Sequence, residues 1–406
     1  MRFPKLTDLD RDQTAIYQGA PPEGSVLIVG PPGTGKSVIA FHRAHYLSNL
    51  GRNPRVMMYS KVLVQYASNR GEIAQGVTVS TLHSWLYRWW GSFMGKRATP
   101  PKVNGSKFEH NWPIIQFHTL STITSKRQLG GVNWGHLIID EGQDFSPLMY
   151  QALKIIMDVA NAKGAKPPLA VTVLADENQR LTSHRNATIE DIRINLGLYP
   201  AAENVFLLKK NYRNTKEIAT FSNFFYAGLP SGIPELPTRT GDLPVVSIIS
   251  RDTHDSFLIA CADKIGRYAK IRRTEEIAVL VMGNIERKKM LTCLADRLNG
   301  SGVILQSYAS NDANWPAQNL DFDTPGHVTV LNYTSAKGLE FDAVFLIDPG
   351  KLMHGGSSEI NTKMALYVMC SRARAMLNVM LIGDTHMKTL LSWIPTQSGV
   401  YELENI

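Results

Sequence analysis

Gly30-Pro31-Pro32-Gly33-Thr34-Gly35-Lys36-Ser37 decides how the rest of the chain is read. The stretch fits G-x-x-x-x-G-K-[ST], the P-loop pattern. An apolar run (Val26, Leu27, Ile28, Val29) precedes it and predicts a buried parallel strand. Val38, Ile39, Phe41, Ala44 and Leu47 follow with helical spacing and predict a helix packed on that strand. Glycines let the backbone turn tightly and bring N–H groups against phosphate oxygens, and a helix N-terminus adds partial positive charge at the same spot. Gly33, Thr34, Gly35, Lys36 and Ser37 are therefore the candidate phosphate ligands. Lys36 is suited to the β- and γ-phosphates, and Ser37 to placing its hydroxyl on Mg²⁺. The motif calls for a nucleoside triphosphate; it does not say what the energy drives.

The chain has 406 residues, enough for two domains of ordinary size. With 44% hydrophobic and 19% charged residues it reads as globular rather than disordered. No apolar run approaches the roughly 18–20 residues of a membrane span, and Met1 to Asp10 lacks the apolar core of a signal peptide. The three cysteines (Cys261, Cys293, Cys370) are scattered, which argues for a reducing compartment and against a zinc site. A cytoplasmic location is the resulting expectation. The net charge of +8 and pI near 9.2 favour polyanionic partners, nucleic acid first.

Outward from the P-loop, strands are expected at Arg55–Ser60, Val77–Ser80, Leu137–Ile139 and Pro168–Leu174. A helix start is expected at Lys61–Ala67 and an aromatic-rich helix at Thr81–Met94. Gly95–Gly131 is polar with several basic residues and reads as an irregular insertion, the inserted region as a whole covering about 85–131. After residue 200 the rhythm repeats. Strands are expected at Val205–Leu208, Val245–Ile249, Ile277–Met282, Val303–Gln306, Val328–Leu331, Ala343–Ile347 and Leu377–Leu381. Helices are expected at Thr215–Tyr226, Ser256–Ala269, Glu286–Leu298 and Lys363–Ala375. Alternating strands and helices predict parallel α/β sheets. The expected domains are 1–200 and 201–406.

Leu137-Ile138-Ile139 delivers Asp140 and Glu141 at a strand end, the edge where open α/β sheets bind ligands. Asp140 suits a Mg²⁺ shell and Glu141 suits activation of an attacking water. Gln179 ends another polar strand terminus and is a candidate γ-phosphate sensor; the residues alone favour a polar surface loop. Arg213 and Arg372, in the second half, are of the type that stabilises a phosphoryl-transfer transition state. Trp85, Tyr87, Trp89 and Trp90 suit either core packing or base stacking.

The order of these motifs resembles that of UvrD/Rep-type superfamily 1 helicases, from Gln13 to Arg372. Asp12-Gln13 resembles the Q motif, GPPGTGKS motif I, and Thr81-Leu82-His83 motif Ib. Asp140 to Phe145 (DEGQDF) is similar to D-E-x-Q-D, and Asn178-Gln179 closes a motif III-like ADENQ. Asn211-Tyr212-Arg213 resembles motif IV, Thr334 to Phe341 (TSAKGLEF) motif V, and Tyr367 to Arg374 (YVMCSRAR) motif VI. The resemblance implies two tandem RecA-like domains with an ATP cleft between them. It implies that Gln13 reads adenine, Tyr212 stacks on the base, Glu340 binds ribose, and Arg213 and Arg372 touch the γ-phosphate. It also implies a single-strand path past Tyr59, Ser60, Lys61, His83, His184, Arg185, Thr334 and Ser335.

This chain departs from the family pattern in three places. His184 stands where the family usually has Trp, Thr334 where it usually has His, and the accessory insertions are small. The expected activity is an ATP- and Mg²⁺-dependent motor on single-stranded nucleic acid, DNA ahead of RNA, moving 3′ to 5′. The alternative is an ATP-gated binding subunit of a larger complex with protein partners. A small-molecule kinase would account for Lys36 and Asp140 but not for Arg213, Arg372 or SAKGLEF.

Overall fold

The computed structural model describes residues 6–59, 61–68, 77–125, 129–179, 186–200, 203–229, 231–309, 312–322, 324–353, 358–383, 385–395 and 399–406. Ser60, His184 and Arg185 lie outside the described residues, as does the side chain of Gln179. The chain divides into two compact units. One comprises Phe3–Pro31 and Gly35–Leu208, here the P-loop unit; the other comprises Lys209–Ile406 together with Pro32–Thr34, here the C-terminal unit.

The P-loop unit contains, in chain order, α1 (Arg11–Gly19), β1 (Gly24–Val29), α2 (Lys36–Asn49), β2 (Pro54–Met58), α3 (Lys61–Ser68), β3 (Thr78–Thr81), α4 (Leu82–Met94), α5 (Trp112–Ser125), β4 (His136–Ile139), α6 (Pro147–Ala162), β5 (Ala170–Ala175), α7 (Ile189–Asn195) and β6 (Val205–Leu207). Its six strands are all parallel, in the order β3-β2-β4-β5-β1-β6. β4 and β5 are buried along their whole length, as a sheet covered on both faces requires. Leu137, Ile139, Val171 and Val173 meet the helix residues Leu153 and Ile156 in one core. Trp85, Trp89 and Trp90 belong to that core, with Trp85 stacked on Trp89 at 5.2 Å between ring centroids. Burial therefore removes these three rings from any stacking on bases; only Tyr87 of the group reaches solvent.

The C-terminal unit contains α8 (Lys216–Asn223), β7 (Val245–Ile249), α9 (His254–Ile271), β8 (Ile277–Val281), α10 (Asn284–Leu298), β9 (Ile304–Tyr308), β10 (His327–Asn332), β11 (Phe341–Ile347), α11 (Glu359–Cys370), β12 (Ala373–Ile382), α12 (Thr385–Ser392) and β13 (Glu402–Asn405). Its seven strands are also all parallel, in the order β13-β7-β12-β11-β8-β10-β9. Two parallel α/β sheets, each with helices packed on it, bear out the expected fold class.

Two local expectations are corrected. Residues 95–131 are not irregular throughout: Trp112–Ser125 form α5, which packs on α6. Its Ile and Thr residues are weak helix formers and its apolar side chains are spread around the helix, so no amphipathic period announces it. The helix expected at Lys363–Ala375 ends at Cys370, and Ala373 already pairs with Phe341 as the first residue of β12. Sheet pairing, a non-local contact, overrides the local helical pattern there. The sequence reading also did not anticipate α1, α7, α12 or β13.

Candidate active site

The carboxyl ends of β1, β5 and β4, three neighbours in the first sheet, each release a polar group at the same edge. From β1 the chain enters the P-loop. Gly33 and Gly35 both take left-handed backbone conformations (φ +81° and +84°), which glycine adopts without a steric penalty, and Gly35 caps the start of α2. Lys36 is 6% exposed. Its Nζ donates to the carbonyl oxygens of Gly30 (2.7 Å) and Pro31 (3.1 Å) and lies 3.7 Å from Asp176 Oδ2. The lysine is thus held inside its own loop by neutral acceptors and one buried carboxylate.

From β4 come Asp140 and Glu141. The Ser37 hydroxyl donates to Asp140 Oδ2 at 2.6 Å. Burial pushes the Asp140 carboxyl up to about 6, and neighbouring Glu141 pushes the same way against the Ser37 hydrogen bond. Glu141 is buried and has φ +55°, an uncommon backbone state for a non-glycine residue and one that concentrates at functional positions. Gln143 Nε2 donates to Glu141 Oε2 (2.5 Å), while Gln143 Oε1 accepts from the Asp176 N–H (2.9 Å). One glutamine therefore orients the acid of β4 against the end of β5. Asp176 Oδ1 accepts in turn from the Asn178 N–H at 3.0 Å. Gln143 and Asp176 were not among the sequence candidates; the D-E-x-Q spacing held the signal for Gln143, and Asp176 ends a strand just as Asp140 does.

Gln13 lies in the first turn of α1. It forms a capping box with Asp10: its N–H donates to Asp10 Oδ1 (2.8 Å) and its Oε1 accepts from the Asp10 N–H (3.3 Å). A side-chain carbon added at Gly35 would stand 2.5 Å from Gln13 Nε2, so Gln13 reaches the last glycine of the P-loop. Tyr59 and Lys61 follow the carboxyl end of β2, and His83 that of β3, so all three share the sheet edge of the P-loop. Tyr59 and Lys61 are exposed, and His83 Nε2 is 3.1 Å from the Phe108 carbonyl oxygen.

In the C-terminal unit the candidates separate onto the two edges of the sheet. Thr334 and Ser335 follow the carboxyl end of β10, where Asn332 Oδ1 accepts from the Thr334 N–H (3.3 Å). Glu340 and Arg372 immediately precede the amino ends of β11 and β12. Arg213 joins them there: its Nε donates to Glu340 Oε2 (2.7 Å) and its Nη1 to the Ser371 carbonyl oxygen (3.3 Å). Burial alone would push the Glu340 carboxyl up, but Arg213 outweighs it and holds the group below the usual range. Arg372 is 1% exposed and donates to the carbonyl oxygens of Val368 (3.0 Å) and Leu339 (3.2 Å). The Tyr212 ring is 46% exposed.

Residues 12–185 match the AAA_19 family, described as an AAA domain. The curated protein named "Putative ATP-dependent DNA helicase R568" of Acanthamoeba polyphaga mimivirus is 24% identical over 220 residues, 52% of this chain and 29% of its own length. The chain thus spans about three tenths of that relative. Among solved structures, the C-terminal domain of a possible DNA helicase from Lactobacillus plantarum WCFS1 is 22% identical (TM-score 0.33), covering 47% of this chain and 98% of its own. The DUF1998 helicase MrfA bound to DNA is 10% identical (TM-score 0.49), covering 94% of this chain and 49% of its own. The helicase resemblance read from the motifs is borne out: residues 12–185 carry the AAA_19 match, and the chain is similar to proteins described as DNA helicases.

Proposed function

We propose that the chain is an ATP-dependent superfamily 1 motor of the UvrD/Rep type, acting on single-stranded nucleic acid, DNA ahead of RNA, in the 3′-to-5′ direction. The observation that carries the reading is the connected set Lys36, Ser37, Asp140, Glu141, Gln143 and Asp176 at adjoining strand ends. In this reading Lys36 leaves its own loop carbonyls to contact the β- and γ-phosphates. Glu141, aimed by Gln143, accepts the proton of the attacking water. Gln13 contacts the adenine edge.

Mg²⁺ fits the donor set. A serine hydroxyl and a buried carboxylate 2.6 Å apart are hard oxygen ligands, and a carboxyl raised by burial regains its charge beside a cation. Ser37 and Asp140 would hold the ion; when bound, it would neutralise charge on the β- and γ-phosphate oxygens. The γ-phosphate contacts of Arg213 and Arg372, the ribose contact of Glu340, the stacking of Tyr212 and the sensing role of Gln179 belong to the same proposal. So does a single-strand path that includes Tyr59, Lys61, His83, His184, Arg185, Thr334 and Ser335.

The test is phosphate release measured with no nucleic acid, then with single- and double-stranded DNA and RNA oligomers. The motor reading expects strong stimulation by single strands, and binding to them that weakens steeply with salt. ATP turnover that ignores all four oligomers refutes it. Polarity is read from displacement of streptavidin from 5′- or 3′-biotinylated oligomers; displacement from the 3′ end alone contradicts 3′-to-5′ movement.

A further inference from the structure

Arg43 is fully buried, and no step described above uses it. It sits on α2, seven residues after Lys36, and so on nearly the same face of the helix two turns further along. Its guanidinium works on two segments at once. Nη1 donates to the carbonyl oxygens of Ala20 (3.0 Å) and Tyr17 (3.5 Å), Nη2 to that of Pro21 (2.5 Å), and Nε to Thr172 Oγ1 on β5 (3.0 Å). Tyr17 and Ala20 lie at the carboxyl end of α1, where helix carbonyls lack partners within the helix and partial negative charge accumulates. A buried, planar, five-donor cation suits that spot. Burial lowers the Arg43 group only to about 10, so it stays charged at neutral pH.

α1 carries Gln13 near its other end, against Gly35. We propose that Arg43 is a positioning residue for nucleobase selection: by capping the far end of α1 it sets where Gln13 stands over the P-loop, and so sets the preference for adenine over guanine. This rests on the ATP reading above and on Gln13 contacting the base. The rings of Tyr46 and His42, each 6.2 Å from that of Tyr17, also hold α1 to α2. Loss of Arg43 should therefore loosen the register of α1 without releasing the helix.

The experiment is calorimetric titration of the full chain with ATP and with GTP. A stability loss lowers the amount of binding-competent protein equally for both nucleotides, so the ratio of the two affinities isolates positioning. Gln13→Ala fixes the floor of that ratio. Arg43→Met is expected to lower the ATP/GTP ratio about tenfold, the scale of one charge-assisted hydrogen bond. Arg43→Lys should fall between, and Arg43→Met added to Gln13→Ala should lower the ratio no further. Thr172→Val, which keeps the side-chain volume and removes a hydroxyl that serves both Arg43 Nε and His136 Nε2, should give about a threefold loss even if the arginine variants do not fold. A wild-type ratio in Arg43→Lys or in Thr172→Val overturns the inference alone. A wild-type chain that binds ATP and GTP alike, or binds neither, overturns the reading beneath it and the inference with it.

Discussion

Replacing Gly142 by alanine would put a methyl carbon 2.3 Å from Cγ1 of Val173, 3.0 Å from the Tyr150 hydroxyl oxygen and 3.3 Å from the Leu174 carbonyl oxygen. Gly142 opens a short 3-10 helix, and its backbone is not left-handed, so conformation alone would not penalise alanine there. The cost is steric. Val173 lies on β5, paired on both sides by β4 and β1 and fully buried, and Gly142 itself is held by the Tyr150 hydroxyl, which donates to its carbonyl oxygen at 2.5 Å. Restoring an ordinary carbon–carbon contact needs a shift of about 1 Å in one of two fixed segments, which puts the cost near the upper end of overpacking, about 3 kcal/mol.

Five of the seven tryptophans (Trp85, Trp89, Trp90, Trp112, Trp134) lie in the P-loop unit, so tryptophan fluorescence during urea unfolding reports chiefly on that unit. With an m-value of about 2 kcal/mol/M the expected midpoint shift is about 1.5 M. Gly164→Ala is the control. It has φ +84° and nothing within 4 Å, so it should cost only the left-handed strain, about 1 kcal/mol. Val173→Ala removes the clashing methyl and should make Gly142→Ala at least 1 kcal/mol cheaper than in the wild-type background. A midpoint for Gly142→Ala within about 0.3 M of wild type, or strict additivity with Val173→Ala, refutes the steric argument.

Glu141→Gln should keep ATP affinity while lowering turnover by about 10² to 10⁴, because an amide still pairs with Gln143 but accepts no proton; calorimetry beside a phosphate-release assay checks this, and retained turnover removes Glu141 as the base. Arg372→Ala should reduce kcat more than ATP affinity if the residue meets the γ-phosphate, and should also destabilise its own unit by about 2 kcal/mol, because the Leu339 and Val368 carbonyls lose a buried donor; near-normal kcat in folded variant rejects the catalytic assignment. His136 is fully buried between the Pro22 carbonyl oxygen (Nδ1, 3.2 Å) and Thr172 Oγ1 (Nε2, 2.8 Å), and burial, with nearby Arg43, lowers it from 6.5 to about 3. The unfolded chain therefore binds the proton that the folded chain refuses. Stability is complete above about pH 6.5 and falls as the pH drops toward 3, by several kcal/mol in total. His136→Gln should flatten this slope in urea melts between pH 7 and pH 5; an unchanged slope shows that His136 is not its source.

Much of the candidate site was legible in the sequence because it is local. A glycine loop between an apolar run and a helical period, and two acids closing a second apolar run, are enough by themselves to place Lys36, Ser37, Asp140 and Glu141 at strand ends. The alternation of strands and helices likewise fixed two parallel α/β sheets. What stayed hidden depends on partners far away in the chain. The strand order that makes β4, β5 and β1 neighbours is set by packing, and only that adjacency lets Gln143 bridge Glu141 to Asp176. Burial of Trp85, Trp89 and Trp90 was one of two readings until the sheet beneath them was known. α5 shows no amphipathic period because tertiary packing, not pattern, makes it a helix. Arg43 is the clearest case: an arginine in an apolar helical run carries no signal, and its meaning arises only when the unpaired carbonyls ending α1 are folded against it. Sequence determined which groups are candidates to meet phosphate, because that chemistry needs few residues at fixed spacing; tertiary structure decided which groups hold them in place, because buried hydrogen bonds are satisfied by whatever the fold brings near.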